Sequence, residues 1–220
     1  MFRELGDAAR VGAWYRLRRF TRRSRNAEAR KAFEAALSNL RPGDICVDCG
    51  ANVGAITARL ADTGATVHAF EPDPRAFKVL TGSVGSRSNV VLHNAALGVG
   101  SGTIRLYMVP QSDTRCVSVS QGSSTIPAKV NVSPDSFVDV PKIDFVEFVR
   151  SLEKPVSLVK MDIEGAEVSI LKSVIEHRLN ERIGQMFVET HEKQIPELRG
   201  ETMAVIGASR KLGNINCDWW

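Results

Sequence analysis

The sequence lacks any apolar run long enough to cross a membrane, and we expect no secretory signal at its start. Its apolar stretches, such as Ile143 to Val149 and Val156 to Val159, fall well short of the roughly 20 residues that a transmembrane helix needs. The segment from Met1 to Arg10 carries charge early and has no apolar core of the signal-peptide type. We therefore expect a cytoplasmic protein.

Cysteine is also scarce, with 4 residues in a chain of 220. Only Cys46 and Cys49 are close in sequence, and their C-x-x-C spacing falls in a stretch that is typical of a β-strand. Side chains three apart on a strand point to opposite faces, so a shared metal or a redox disulfide is not expected there. We predict that both are small buried strand residues and that no disulfide framework exists.

Positive charge is concentrated at one end of the chain. Residues 1–41 contain 11 Lys and Arg against 4 Asp and Glu, although the net charge of the whole chain is only +4. Within this segment, residues 14–25 place aromatic side chains among six arginines. Two interpretations remain open. The arm binds nucleic acid or an anionic membrane surface, or it is a helix that packs through Trp14, Leu17 and Phe20 while its arginines stay in solvent.

From residue 42 onward, patterns typical of strands and helices alternate. Apolar stretches predict strands at Ile45–Cys49, Thr66–Phe70, Val90–His93, Val156–Met161 and Gln185–Glu189, and amphipathic spacing predicts helices between them. Such alternation indicates an α/β fold, with a mostly parallel sheet, helices on both faces and ligands beyond the carboxyl ends of the strands. We predict a basic N-terminal helical extension over residues 1–41 and one domain over residues 42–220.

The alternation is interrupted over about residues 99–142, a segment that we call the insertion. Thr103 to Met108 predicts a strand, and the stretch from Pro110 to Pro134 is rich in Ser, Gly and Pro. Because so long a connection inside a compact domain is usually functional or mobile, we predict a small sheet extension and a flap that faces the substrate. An ordinary surface loop is the alternative.

The end of the sequence leaves room for one short strand after the helix predicted to end near Leu212. Either the sheet has six strands, or Trp219 and Trp220 pack on a partner subunit. A pair of exposed tryptophans is unusual on a monomer, so a homodimer is one hypothesis for this end of the chain.

A glycine loop follows the first predicted strand. The segment Val47 to Gly54 reads V-D-C-G-A-N-V-G, in which Gly50 and Gly54 bracket a tight turn. Glycine accepts positive φ and lets a ligand approach the backbone. Glu71 ends the second strand roughly 20 positions after Asp48, a separation at which an acidic residue accepts hydrogen bonds from ribose hydroxyls. The pattern D-x-G-x-N-x-G differs from G-x-G-x-x-G, which disfavours a nicotinamide or flavin cofactor.

The D-x-G-x-N-x-G pattern, together with A-F-E-P-D-P at residues 69–74, resembles the Rossmann-like (class I) methyltransferases that use S-adenosyl-L-methionine. Three further segments look like the FkbM family of these enzymes: N-A-A-L-G at 94–98, V-K-M-D-I-E-G-A-E at 159–167 and F-V-E-T-H at 187–191. The matched segments run in family order from about residue 45 to 192. The resemblance implies S-adenosyl-L-methionine as methyl donor and O-methylation of a hydroxyl on a small molecule, sugar or glycolipid.

Motif position then implies which residues bind the cofactor. Asp48 and the loop backbone from Gly50 to Gly54 would meet the methionine end, and Glu71 would meet the ribose. Asn94 matches a position that commonly contacts the adenine amino group, although it could equally be a turn residue. The full set implied for the cofactor is Asp48, Gly50, Ala51, Asn52, Gly54, Glu71, Pro72, Asn94, Ala95 and Asp162.

Four side chains at the ends of the fourth and fifth core strands are the candidates for catalysis, namely Asp162, Glu164, Glu189 and His191. Methyl transfer from a sulfonium needs an aligned nucleophile and a group that removes its proton. We assign the general base to His191, whose ordinary pKa of about 6.5 would rise beside a carboxylate. The alternative is that His191 only orients Glu189 or caps the next segment. A metal-assisted version also stays open, in which Asp162, Glu189 and His191 hold Mg²⁺ or a similar ion.

Two other functions remain as alternatives. The acceptor could be nucleic acid bound by the basic arm, but the chain has no N-P-P-Y-type motif for exocyclic amino groups. The chain could also be a cofactor-binding partner that has lost catalysis, against which the intact Asp162, Glu189 and His191 argue. We therefore favour a small-molecule or saccharide acceptor, without nucleic acid, and leave peripheral membrane contact through the arm open.

Overall fold

A parallel β-sheet forms the centre of the structure. The computed structural model describes residues 26–109, 123–129, 132–133, 135–191 and 194–219. Within them the strands, in chain order, are β1 (Ile45–Cys49), β2 (Thr66–Phe70), β3 (Val90–His93), β4 (Ala96–Gly98), β5 (Gly102–Tyr107), β6 (Phe137–Asp144), β7 (Val156–Met161), β8 (Ile183–Val188) and β9 (Ile215–Asn216). Six of them make the main sheet in the order β3-β2-β1-β7-β8-β9, and every neighbouring pair in it is parallel.

Helices cover both faces of this sheet. They are α1 (residues 26–39), α2 (Ala55–Asp62), α3 (Pro74–Val84), α4 (Phe145–Ser151), α5 (Glu167–Glu176) and α6 (Arg199–Arg210), with short 3-10 turns at Leu179–Arg182 and Pro196–Leu198. Side chains such as Cys46 and Val67 pack on α1 and α2, whereas Val47 and Val159 lie in the core beneath α4, α5 and α6. The predicted α/β architecture is confirmed. Among the described residues, no helix is both long and apolar enough to cross a membrane.

The last described residue packs against the first described helix. The Trp219 ring is 5.1 Å from the Phe33 ring of α1, which also makes an edge-on contact with Phe187 of β8 at 5.3 Å. Trp219 is therefore buried within the described part of the chain. The six-stranded alternative is the one observed, because β9 pairs with β8. Trp220 and the arginine-rich arm lie outside the described residues, so the homodimer and the role of the arm stay predictions.

The cysteines of β1 are buried and free, as predicted. Cys46 and Cys49 have no exposed surface, and Cys217 near the end of the chain is also a buried thiol. Burial raises the pKa of Cys46 to about 12, so its thiol stays protonated at neutral pH. These side chains act as small core residues.

The insertion forms a second, smaller sheet and does not extend the first. Its strand order is β4-β6-β5, in which β5 and β6 are antiparallel. Ile104, Leu106 and Val140 form a small apolar cluster with Ala96 on one side of this sheet. Residues 110–122 of the predicted flap lie outside the described residues, but the segment 123–129 is described and joins the sheet through a bridge between Tyr107 and Ser124.

Candidate cofactor and catalytic site

The glycine loop, residues 50–54, turns sharply at the carboxyl end of β1. Its backbone adopts positive φ at Gly50 (79°), Asn52 (50°) and Gly54 (94°), where Gly54 caps the start of α2. The amides of Gly50 and Ala51 both donate to the carbonyl of Phe70, at 3.0 and 2.9 Å. The loop is thereby fixed to the end of β2, as a preformed ligand cradle requires.

Asp48 and Lys160 support this loop from beneath. Asp48 is fully buried, accepts a hydrogen bond of 2.7 Å from the Thr57 hydroxyl, and lies 3.3 Å from the Lys160 ammonium. Lys160 also donates to the carbonyl of Gly50 at 2.6 Å. Burial alone would lower the pKa of Lys160, but the charges of Asp48 and Asp162 outweigh it and raise that pKa. Asp48 therefore contacts Lys160 beneath the loop and does not line the adjoining cavity.

Two backbone N–H groups fix both carboxylate oxygens of Glu71. Its Oε2 accepts a hydrogen bond from the backbone N–H of Asn52, and its Oε1 accepts one from the backbone N–H of Asp73, each at 2.8 Å. Burial raises the pKa of Glu71 to about 7 in spite of these two bonds. Asn94 donates its side-chain amide to the carbonyls of Glu71 (2.8 Å) and Pro72 (3.3 Å), so its donor group is used within the chain.

One cavity of about 320 Å³ connects the predicted cofactor residues to the predicted catalytic residues. Its wall combines three groups: Gly50, Asn52, Phe70, Glu71, Pro72 and Ala95; then Asp162, Ile163, Glu164, Ala166 and Glu189; then Ala96, Leu97, Leu106, Ser123 and Thr125 from the insertion and β4. Six of the ten predicted cofactor residues and three of the four catalytic candidates thus line the same cavity, whereas Asp48, Ala51, Gly54 and Asn94 do not. Ala51 is buried within the glycine loop, and His191 lies behind the wall.

His191 lies at the centre of a group of carboxylates that we call the acidic cluster, made of Asp162, Glu164, Glu167 and Glu189. Its Nδ1 is 2.8 Å from Glu167, and its Nε2 is 3.0 Å from Glu164. Nε2 is also 3.6 Å from Asp162 Oδ1. Both ring nitrogens are therefore engaged by carboxylates inside the protein.

These contacts shift the pKa values of His191 and Glu164 in opposite directions. Burial alone would lower the pKa of His191, but the hydrogen bonds and charges of Glu164 and Glu167 outweigh it and raise that pKa to about 11. Burial alone would raise the pKa of Glu164, yet His191 and Lys129 lower it to about 2. Burial, reinforced by the charge of Asp162, raises the pKa of Glu189 to about 7. The shift at His191 has the direction expected from the sequence, and it leaves the imidazole protonated at neutral pH.

Lys129 is a neighbour of the acidic cluster that the sequence did not single out, and Glu167 is one that the sequence placed in a motif without a role at the site. Glu167 is fully buried and accepts from the amides of Ile163 (3.1 Å) and Gly165 (2.7 Å), which folds the turn before α5 around its carboxylate. Lys129 comes from the insertion, is buried, and forms an ion pair with Glu164. The E-G-x-E spacing is a local signal for Glu167, whereas nothing in the sequence near Lys129 indicates its distant partner.

The insertion is fastened over the acidic cluster by more than this ion pair. The Ser124 hydroxyl donates to the carbonyl of Glu164 at 2.6 Å. A Cβ on Gly165 would lie 2.8 Å from the Ile126 side chain, so that side chain packs directly on the Gly165 backbone. Segment 123–129 therefore forms one side of the cavity and carries Ser123 and Thr125 to its wall.

Comparison with known proteins finds a family model, described as the methyltransferase FkbM domain, that matches residues 48–214. The hexuronic acid methyltransferase AglP of Haloferax volcanii is 28% identical over 184 residues, covering 83% of this chain and 70% of that protein. The 31-O-demethyl-FK506 methyltransferase FkbM of Streptomyces tacrolimicus is 48% identical over 59 residues, covering 26% of this chain and 20% of that protein.

A solved structure of methyltransferase FkbM from Methylobacillus flagellatus is also similar, with a TM-score of 0.46 and 17% identity. The similarity covers 74% of this chain and 37% of that one. The chain thus spans only a fifth of the Streptomyces relative and about a third of the solved structure.

Proposed function

The chain belongs to the FkbM methyltransferase family, and from that membership we propose that it transfers a methyl group from S-adenosyl-L-methionine to a hydroxyl of a saccharide or other small molecule. The observation that carries this proposal is the cavity itself. It has Glu71 and the glycine loop at one end and Glu189 at the other. In this proposal a nucleoside site and a carboxylate that can take a proton therefore share one cavity.

The cofactor end fits the proposed donor. When bound, S-adenosyl-L-methionine supplies a methyl group activated by a positive sulfur. Each oxygen of Glu71 uses one lone pair on a backbone amide and keeps acceptor capacity toward the cavity, as two ribose hydroxyls require. Asp162 and Glu164 line the same cavity and place negative charge where a cationic ligand is favoured.

We assign the proton acceptor to Glu189, which moves the general-base role away from His191. Both nitrogens of His191 face carboxylates, so neither is directed at the cavity. Glu189 lines the cavity, and within the described ranges its carboxylate has no hydrogen bond or ion pair. In this proposal Glu189 takes the hydroxyl proton as the oxygen attacks. His191 acts as a positioning residue that holds Glu164 and Glu167 together.

The saccharide acceptor is supported by one relative. The Haloferax protein matches most of this chain and is named for a hexuronic acid. In this chain, Ser123 and Thr125 carry hydroxyls to the cavity wall, where the Ser123 hydroxyl also lies 3.4 Å from Asp73, and such groups suit hydrogen bonds to a sugar. We retain the cytoplasmic location and the division at residues 41 and 42 as predictions.

The test begins with isothermal titration of S-adenosyl-L-methionine, S-adenosyl-L-homocysteine and NAD. The first two should bind and NAD should not; the reverse result overturns the proposal. Glu71→Ala should abolish this binding. Methyl transfer is then measured with labelled donor and a panel of saccharides and small-molecule alcohols.

A pair of variants tests the proton acceptor. Glu189→Gln should keep cofactor binding and lose turnover by about a hundredfold or more. Glu153→Gln is the matched control, because Glu153 is an exposed acid away from this cavity. Full activity of Glu189→Gln would remove the assignment of the base and leave methyl transfer itself standing.

A further inference from the structure

Three side chains at the centre of the acidic cluster have the arrangement of metal ligands. One ligand atom each from Asp162, Glu164 and His191 lies within 4.8 Å of the others. We propose that these three residues bind a divalent metal ion, of the class represented by Mn²⁺, beside the acceptor end of the cavity. The proposal rests on the proposed function only for the role of the ion, because its binding can be measured without cofactor or acceptor.

The histidine is already oriented for this task. Glu167 holds Nδ1 at 2.8 Å, so Nε2 is the nitrogen directed toward Asp162 and Glu164. A histidine that binds a metal through one nitrogen usually donates its other N–H to a carboxylate or carbonyl, which fixes the tautomer and the ring plane. Glu167 is itself fully buried and fixed by two backbone amides, so this orientation is rigid.

Asp162 contributes a second, independent observation. Its Oδ1 is a buried atom without a hydrogen-bond partner among the described residues, and it points toward His191. The separation of 3.6 Å from Nε2 is too long for a hydrogen bond. Buried polar atoms nearly always have a partner, and a cation held between this oxygen, the His191 nitrogen and Glu164 would supply one.

The charges around this point favour a cation. Four carboxylates form the acidic cluster, and the neighbouring cations are Lys129, Lys160 and His191. Lys160 lies against Asp48 and the glycine loop, so its charge is shared with a carboxylate outside the cluster. An ion that binds here replaces the proton on Nε2, because a metal ligand must be deprotonated.

The ligand set also indicates the kind of ion. Two carboxylate oxygens suit Mn²⁺, Mg²⁺ and Ca²⁺ alike, and the imidazole nitrogen favours a first-row transition ion such as Mn²⁺ over Mg²⁺ or Ca²⁺. The set differs from the one expected from the sequence, since Glu164 joins Asp162 and His191. Glu189 is left free as the proton acceptor, and the ion would lower the pKa of a hydroxyl bound beside it.

The experiment uses the full chain after treatment with a chelator and dialysis. Isothermal titration with MnCl₂ should show one ion per chain, and Asp162→Asn, Glu164→Gln and His191→Ala should each weaken binding at least tenfold. Glu153→Gln should bind as the parent protein does. No saturable Mn²⁺ binding, or equal binding by the three variants, would overturn the proposal.

Pulsed electron paramagnetic resonance of the Mn²⁺ complex of the parent protein supplies a readout that does not depend on how well the variants fold. The parent protein should show coupling to an imidazole nitrogen, and Glu164→Gln at saturating Mn²⁺ should retain it. Absence of nitrogen coupling in the parent protein would exclude His191 as a ligand. Metal binding without methyl transfer would overturn the proposed function alone, and methyl transfer without metal binding would overturn this inference alone.

Discussion

Gly50 and Asp162 meet across the carboxyl ends of β1 and β7. A Cβ at Gly50 would lie 1.8 Å from the carbonyl oxygen of Asp162, far inside van der Waals contact. The glycine loop that forms the cofactor end of the cavity is therefore pressed against the first residue of the acidic cluster. This backbone contact helps to hold the two halves of the candidate site in register.

Replacement of Gly50 by alanine should damage both halves. The backbone φ of +79° costs an L-residue about 1 to 2 kcal/mol, and the contact with Asp162 adds to that. Gly50→Ala should lower the free energy of unfolding by at least about 2 kcal/mol and abolish cofactor binding. Urea unfolding and isothermal titration measure the two effects.

Gly82→Ala is the matched control for that substitution. Gly82 lies inside α3, and a Cβ there meets nothing within 4 Å. Alanine should stabilise this helix by about 0.5 to 1 kcal/mol, because glycine loses more backbone freedom on folding. If Gly50→Ala behaved like Gly82→Ala, the close contact with Asp162 would be refuted.

Cofactor affinity should depend on the ionisation of Glu71. Burial raises the pKa of Glu71 to about 7, and Asp73 and Lys160 act on it with opposite signs. A protonated carboxyl loses acceptor capacity, so affinity for S-adenosyl-L-homocysteine should rise by up to about tenfold between pH 6 and pH 8. Titration calorimetry across this range measures the effect.

Glu71→Gln separates this effect from other titrating groups. The amide cannot ionise, so the variant should bind weakly with an affinity that changes little over the same pH range. An unchanged pH dependence in Glu71→Gln would assign the titration to another group and refute the prediction.

Loss of Lys160 should destabilise the protein through Asp48. Both side chains are almost fully buried, and removal of one partner leaves the other charge uncompensated. Lys160→Met should therefore cost about 3 to 5 kcal/mol in the free energy of unfolding. The double variant Asp48→Asn/Lys160→Met should recover much of that loss, and a double variant as unstable as Lys160→Met would contradict the pairing.

Lys129→Met should release segment 123–129 from the acidic cluster. Glu164 would lose a charged partner, at a cost of about 2 kcal/mol for a hydrogen bond to a charged group. Hydrogen exchange at Ser124 and Ile126 should become faster, whereas the exposed control Lys154→Met should leave it unchanged. Unchanged exchange in Lys129→Met would show that other contacts fasten the segment.

The sequence predicts the main sheet well and the small sheet poorly, for one physical reason. Strands buried on both faces, such as β1 and β7, are continuous apolar runs, and their bounds match the prediction. Strand β6 contains Pro141 between Asp139 and Lys142, a pattern that argues against a central strand. Pro141 is tolerated because pairing with β4 begins only at the next residue.

The residues of the candidate site also differ in how well the sequence predicts their contacts. Glu71, Asp162 and Glu189 sit at strand ends, where topology alone predicts that they converge. The engagement of both His191 nitrogens depends on the exact turn before α5, including the positive φ of Glu164, and Lys129 arrives from a distant segment. The E-G-x-E spacing signals Glu167 but not its contact with His191, and Lys129 has no local signal, which is why the sequence alone points to His191 as the base.

The contact between Phe33 and Trp219 places a constraint on how the protein can fold as it is made. α1 is synthesised long before the residue that covers Phe33, and its apolar face also needs Phe187 of β8. Contacts between residues so far apart in sequence form late, because the intervening chain must first be ordered. A ribosome-bound nascent chain would therefore carry α1 with its apolar face incompletely covered, and that face is where a chaperone would bind until synthesis has passed Trp219.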